Sequence, residues 1–366
     1  MDVAKAAGTP VYAYSRDAVL RRYQALRAAL PVGSRICYAL KANRFPPLVR
    51  LLREAGAHAD ACSPREVDFA LDMDFSADQI SVTASMLSDR DLDRFVARGV
   101  HLNLDARSAL RRYGARVPAG TRVGLRLDPG VDVGYGRDPK VTYGNTKFGF
   151  RVDDLADALA AANSAGLAVD TLHMHAGWGL QEADTEGLSV AFSRLAQSAR
   201  RVPGLTAVNV GGGLGARQQE ADRPLPLEVW AALVHEHLAP LGLTVTCEPG
   251  TFLVAHAGIL VTEVTQVERK GDVTWVGVDA GHNVNVYAAH YGIPMEILGV
   301  ADPLAAPVGR VHVAGNLNEA GDVFARDRAL PAVREGDLVA FFPAGAYGAT
   351  MASDHCLRGW AGEVMV

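Results

Sequence analysis

From about residue 36 onward, short apolar runs alternate with longer segments whose apolar residues recur at helical spacing, and this alternation constrains the fold more than any other feature of the chain. Strand-like runs fall at residues 36–40, 58–62, 80–84, 101–105, 123–128, 169–175, 207–210 and 244–248. Between them lie amphipathic segments such as 47–55, 89–98, 153–163 and 227–238. Repeated strand-then-helix units build a parallel sheet covered by helices. Eight units in roughly 220 residues predict a closed (β/α)8 barrel of the triosephosphate-isomerase type, whose usual length is about 250. A doubly wound open sheet fits less well, because no Gly-x-Gly-x-x-Gly follows the first strand.

Past about residue 255 the texture changes to β-branched runs separated by turn residues, at 259–268, 273–278, 311–314 and 338–343. These predict a second, antiparallel β domain. Residues 11–14 are also strand-like and precede the barrel, so they are expected to pair into that domain. The expected division is a barrel over 25–255 and a β-rich domain over 256–366 joined by 1–24.

The chain has 366 residues, enough for two domains, and 49% hydrophobic residues, enough for a packed core. Its 36 basic and 41 acidic residues are spread without a basic face, so nucleic acid is not an expected partner. The start, Met-Asp-Val-Ala-Lys, lacks a basic flank followed by an apolar run, and no stretch is long and apolar enough to cross a bilayer. A cytoplasmic protein without membrane contact is expected. Cys37, Cys62, Cys247 and Cys356 are far apart and form no Cys-x-x-Cys pair. The first three sit at apolar strand positions and are expected to be buried, inert thiols.

In such a barrel chemistry is placed at the C-terminal strand ends. The first strand ends in Tyr38-Ala39-Leu40-Lys41-Ala42-Asn43, where partial desolvation would lower the pKa of Lys41 and favour imine formation. Taken alone, Lys41 reads sooner as a solvated strand-end lysine. The sixth ends in His173-Met174-His175-Ala176-Gly177, with two histidines on one strand face. No carboxylate or cysteine cluster accompanies them, so no metal is expected. The seventh runs into Gly211-Gly212-Gly213-Leu214-Gly215, whose backbone N–H groups can cradle a phosphate, although tight barrel turns use glycine too. The eighth ends in Cys247-Glu248-Pro249-Gly250, and a carboxylate there can keep a pyridine nitrogen protonated or serve in an ion pair.

These stretches, with Lys147-Phe148-Gly149, Glu319-Ala320-Gly321-Asp322 and Ala344-Gly345-Ala346-Tyr347-Gly348, resemble the fold-type III pyridoxal-phosphate enzymes, in particular the diaminopimelate/ornithine decarboxylase family. The resemblance covers nearly the whole chain and implies an alanine-racemase-like barrel with a C-terminal β domain. It implies that Lys41 carries the cofactor aldehyde as an imine, that His175 stacks on the pyridine ring and that Glu248 pairs with the ring nitrogen. Asp60 matches an acid close to the imine. Gly211, Gly212, Gly213, Gly250, Thr251 and Tyr347 would complete the cofactor site. Asn318, Glu319, Asp322, Tyr287, Tyr291, Arg137 and Arg358 would face the amino-acid substrate. The resemblance further implies a homodimer with shared active sites, in which Glu319, Asp322 and Tyr347 come from opposite chains.

Several positions depart from the family pattern. Asn318 replaces the cysteine of Cys-Glu-Ser-Gly-Asp, so the acid that reprotonates the α-carbon is open. Thr251 replaces the arginine of Glu-Pro-Gly-Arg, an arginine is missing before Tyr287-Ala288-Ala289-His290-Tyr291, and Trp178 replaces the serine of His-x-Gly-Ser. A guanidinium binds a carboxylate through two parallel donors that threonine and tyrosine cannot reproduce. Meso-diaminopimelate is therefore expected to be a poor substrate unless Arg137 or Arg358 substitutes, with a modified amino acid of siderophore or antibiotic assembly as the expected alternative. An amino-acid racemase or a non-catalytic binding protein on the same fold are the competing expectations.

Overall fold

The computed structural model describes residues 2–138, 140, 142–144 and 146–366, without the side chains of Asp2 and Arg137. Its strands are β1 Val11–Tyr14, β2 Arg35–Ala39, β3 His58–Ala61, β4 Ile80–Thr83, β5 His101–Leu104, β6 Thr121–Asp128, β7 Phe150–Arg151, β8 Leu167–Met174 and β9 Ala207–Asn209. There follow β10 Thr244–Cys247, β11 Gly258–Lys270, β12 Val273–Val278, β13 Glu296–Gly299, β14 Gly309–Ala314, β15 Val323–Leu330, β16 Leu338–Phe342 and β17 Gly362–Met365. Strands β2, β3, β4, β5, β6, β8, β9 and β10 pair in parallel in that order, and β10 returns to β2. The barrel is closed, as the eight apolar runs predict.

Helices cover the barrel where the apolar spacing places them. The helix Asp89–Arg98 has the expected bounds: Ser88 caps it by accepting from the N–H of Asp91, and Gly99 ends it in the left-handed region. It buries Leu92 and Phe95 completely, each contributing about 1.5–3 kcal/mol of apolar burial. Pro46–Glu54, Leu155–Ser164 and Leu227–His237 lie within two residues of their expected bounds.

The second sheet runs β13-β16-β11-β12-β14-β15, with β1 beside β11 and β17 beside β1. It departs from the expectation in being mixed, because β1–β17 and β12–β14 are parallel. Strands β13 (Glu-Ile-Leu-Gly) and β17 (Gly-Glu-Val-Met) escape the sequence pattern because each sets only two apolar residues beside a glycine and a glutamate, and β15 does because its middle reads Arg-Asp-Arg. Among the described residues no helix is long and apolar enough to cross a membrane.

Candidate active site

Strand β2 stops at Ala39, one residue before the expected end, and a single 3-10 turn, Leu40–Ala42, lifts Lys41 off the strand. Its amine opens into a cavity of about 220 Å³ at the barrel mouth, shared with His173, His175, Glu248, Thr251 and Tyr347. The neighbouring strand β3, in register Ala39↔Asp60, brings Asp60 beneath it. Lys41 Nζ donates to Asp60 Oδ2 at 2.8 Å, and Asp60 Oδ1 is buried without a partner. Burial alone would lower the lysine pKa, but Asp60, Tyr347, Cys62 and Glu248 outweigh it and hold the amine well above its ordinary value. The expected depression is thus reversed, since the barrel supplies a buried counter-charge that the run around Lys41 does not display. Burial and Glu248 raise the Asp60 carboxyl to about 7 against the pull of Lys41.

Glu248 follows β10 and is 6% exposed. Its Oε2 accepts from His173 Nε2 at 3.0 Å, and its Oε1 accepts from Asn209 Nδ2 at 2.7 Å and Thr83 Oγ1 at 3.3 Å. Burial would raise the carboxyl, but His173, Lys41 and Asn209 prevail and lower it to about 2. Oε2 keeps a second lone pair that can accept one more N–H.

His173 and His175 both reach the cavity, as their alternation on one strand requires. They do different work: His173 orients Glu248, and its Nδ1 is buried without a partner. His175 Nδ1 accepts from the N–H of Gly212 at 3.1 Å, while burial, Arg126 and Lys41 drive its pKa down to about 3. It is a neutral ring whose remaining proton sits on Nε2. Among the described residues no group of three His, Cys, Asp or Glu side chains could hold a metal ion.

In the glycine run the N–H of Gly211 donates to Asn209 Oδ1 at 2.9 Å and that of Gly212 to His175, so both donors are satisfied within the chain. Gly212, Gly213 and Leu214 line the cavity. A Cβ on Gly213, at φ +106°, would stand 2.7 Å from Gly177 O, and one on Gly212 would stand 2.5 Å from Glu248 O. Only glycine lets the backbone pass there. The anion-facing part of the run therefore moves toward Gly213 and Leu214. Gly250, Thr251 and Tyr347 border the same cavity end, with the Tyr347 hydroxyl 3.5 Å from where a Gly250 Cβ would lie.

Two of the departures from the family pattern touch each other. Trp178 Nε1 donates to Thr251 Oγ1 at 2.9 Å, and both side chains line the cavity. Trp178 meets Tyr135 and Tyr287 edge-on, with centroids 5.7 and 6.0 Å away, and stacks with Tyr291 at 6.3 Å. Tyr287 in turn stacks on Tyr347 at 5.2 Å, and its hydroxyl is buried without a partner. The helix Val286–Tyr291 thus backs the cavity with an aromatic wall.

Other expected site residues are not brought together with these in one chain. Tyr347 lines the cavity of its own chain, its N–H bonded to Ala42 O at 2.7 Å, which corrects the expectation that it reaches a partner's site. Asp322 is 3% exposed and is bound into its own loop, accepting from the N–H groups of His282 at 2.7 Å and Leu317 at 2.8 Å. Glu319 is exposed and pairs with His355 at 3.0 Å. Neither Asn318 nor the exposed Arg358 borders the Lys41 cavity. The Arg137 side chain lies outside the described residues. Sequence reading missed Thr83, Asn209 and Arg126, which lies over the Phe148 ring at 4.2 Å, although all stand at the C-terminal ends of barrel strands. It also misjudged Cys62, which is exposed and lines the cavity because β3 has already ended at Ala61.

Residues 16–255 match the family model for the pyridoxal-binding domain of pyridoxal-dependent decarboxylases. The chain is 34% identical to the diaminopimelate decarboxylase of Methanothermobacter thermautotrophicus, an alignment covering 100% of this chain and 88% of that protein. It is 32% identical to the diaminopimelate decarboxylase of Escherichia coli K12, covering 98% and 89%. Among solved structures, diaminopimelate decarboxylase from Helicobacter pylori complexed with L-lysine superposes with a TM-score of 0.91 at 28% identity, covering 100% of this chain and 93% of that one.

Proposed function

Because this chain belongs to the pyridoxal-dependent decarboxylases, and is therefore a pyridoxal-phosphate-dependent carboxy-lyase of amino acids, we propose that its substrate carries no free carboxylate at its distal end. One observation carries this reading. Where the family pattern has the Glu-Pro-Gly-Arg guanidinium, the Thr251 hydroxyl is bound to the Trp178 indole, and the wall behind is aromatic. Such a wall suits an apolar, amide-linked or cationic distal group, the last through ring faces. The wall itself offers a second carboxylate no paired donors, and among the described residues the one guanidinium lining the cavity, Arg126, lies over the Phe148 ring.

The residues present fit the cofactor: a lysine amine opens into the cavity, a glycine backbone whose space a Cβ would fill lies across from it, and a buried carboxylate retains a lone pair between them. Lys41 would hold the aldehyde, Gly213, Leu214, Gly250, Thr251 and Tyr347 the phosphate, and Glu248 the ring nitrogen. Pyridoxal phosphate supplies, when bound, an electron-accepting pyridinium that takes up the pair left as carbon dioxide departs. Glu248, oriented by His173, Asn209 and Thr83, keeps a proton on the nitrogen it faces. Asp60 stands 2.8 Å from Lys41 Nζ and takes the proton that the ammonium must lose before it can act as a nucleophile. The uncharged His175 presents a flat face without adding a cation.

The same reading makes the enzyme a homodimer in which the turn carrying Asn318 and Glu319, shaped by Asp322, completes the site of a second copy. Its support is that the exposed Asn318 and Glu319 do not line the cavity of their own chain, and that about 220 Å³ is small for cofactor and substrate together.

Carbon dioxide release from meso-diaminopimelate, lysine, ornithine, and diamino acids acylated at the distal nitrogen tests the proposal. Loss of a bidentate guanidinium–carboxylate contact is worth about 1.5–3 kcal/mol. The best substrate without a distal carboxylate should therefore exceed meso-diaminopimelate in kcat/KM by at least about tenfold. Meso-diaminopimelate as the preferred substrate overturns the proposal.

A further inference from the structure

We propose that the Cys62 thiol, held against the Glu66 carboxylate, is the acid that returns a proton to the substrate's α-carbon after carbon dioxide has left. This rests on amino-acid decarboxylation by this cavity and not on which distal end the cavity prefers. Cys62 stands one residue beyond β3, on the strand adjoining that of Lys41, and borders the same cavity. Its Sγ donates to Glu66 Oε2 at 3.1 Å, and its backbone N–H donates to the same oxygen at 2.8 Å. Glu66 is itself 7% exposed and is held in the first turn of the helix Pro64–Asp72, which Ser63 caps. A rotation about the Cβ–Sγ bond turns the thiol proton from Glu66 toward the cavity that Cys62 borders.

Cys62 is exposed as a residue, yet burial around its sulfur and the neighbouring Glu66 push the thiol pKa up to about 12, so it keeps its proton at neutral pH and serves as a donor rather than a nucleophile. The cavity it borders calls for a polar ligand: His173 is fully buried, lines it, and has a ring nitrogen without a partner. Tyr347 also borders the cavity, beside Lys41, with its ring held by stacking on Tyr287. Asn318 has no acidic proton to offer from a second copy. In the step, the Sγ–H bond breaks and a Cα–H bond forms from the electron pair that carbon dioxide leaves behind. Water at the cavity mouth then reprotonates the thiolate, so no oxidant or reductant is consumed.

The test has two arms. In the first, the S–H stretching band of Cys62, identified by its loss in Cys62→Ala, is recorded by infrared difference spectroscopy in cofactor-free and cofactor-loaded enzyme, because a thiol that keeps its proton does not alkylate at a useful rate. Pyridoxal phosphate should shift this band, and a band unmoved by the cofactor overturns the proposal whatever the substrate is. In the second, Cys62→Ala and Cys62→Ser are assayed with the amino acid that releases carbon dioxide fastest. Loss of a general acid predicts a fall in kcat of about 10²–10⁴ with little change in KM, and partial rescue by serine. Wild-type cofactor absorbance in both variants excludes a folding defect. A Cys62→Ala enzyme within twofold of wild-type kcat overturns the assignment and leaves decarboxylation itself intact. Absence of carbon dioxide from every amino acid counts against the substrate reading, and the infrared arm still decides on Cys62.

Discussion

Replacing Asn209 by leucine tests the idea that the barrel holds Glu248 ionised through a built network. Asn209 is 1% exposed and joins two elements: its Nδ2 donates to Glu248 Oε1 at 2.7 Å, and its Oδ1 accepts the N–H of Gly211 at 2.9 Å. Leucine has nearly the same shape, so the cavity contribution is small. The loss of one hydrogen bond to a charged group is worth about 1.5–3 kcal/mol, and a buried Gly211 N–H left without an acceptor costs about 1–3 kcal/mol more. The sum is about 2.5–6 kcal/mol. For a chain of 366 residues roughly 1.3 °C of Tm accompanies each kcal/mol, so the cofactor-free variant should melt about 3–8 °C below wild type. Thermal unfolding followed by circular dichroism measures this. The Glu248 carboxyl, with one fewer donor, should also rise from about 2 toward the ordinary carboxylate range, and pyridoxal-phosphate affinity should fall off at acid pH earlier than in wild type. A variant melting within 2 °C of wild type, with unchanged acid behaviour, would show that Asn209 does not hold the carboxylate.

Two further outcomes follow from the charges around Lys41 and His175. In Asp60→Asn the largest group raising Lys41 is gone while burial remains, so the amine pKa falls, and the pH at which pyridoxal phosphate forms a borohydride-reducible link should move down by at least one unit, read by absorbance against pH. The His175 pKa is depressed from 6.5 to about 3, so the folded protein binds fewer protons than the unfolded chain between those values. Its contribution is fully present above pH 6.5 and is lost as pH falls toward 3, up to about 5 kcal/mol in all. His175→Phe should flatten the fall of Tm between pH 6.5 and 4, and an unchanged slope would refute the assignment.

Much of the barrel is legible along the chain because each βα unit writes its own pattern. Strand runs alternate or stay apolar, helices carry period 3.6, and Ser88 and Gly99 bracket Asp89–Arg98 through local hydrogen bonds and a left-handed turn. Lys41, His175 and Glu248 are legible as polar residues where apolar strands stop. The second sheet is less so, because short strands such as β13 lean on a partner far away in sequence, charged ones such as β15 hide the alternation, and β1 finds its neighbours only at β11 and β17.

The amino-acid order alone determines eight βα periods, the placement of a lysine, two histidines, a glycine run and a glutamate at their ends, and the loss of two expected arginines. Tertiary structure decides what those groups do. Barrel closure brings Thr83, His173 and Asn209 to one carboxylate across separations of up to 165 residues, binds Lys41 to a buried Asp60 that reverses its expected pKa, and sets Trp178 on Thr251. It also turns Cys62 out of the strand and into the cavity. The physical reason is that periodicity and turn chemistry act over a few neighbouring residues, whereas the charge a side chain carries and the partner it meets depend on everything the closed barrel packs around it.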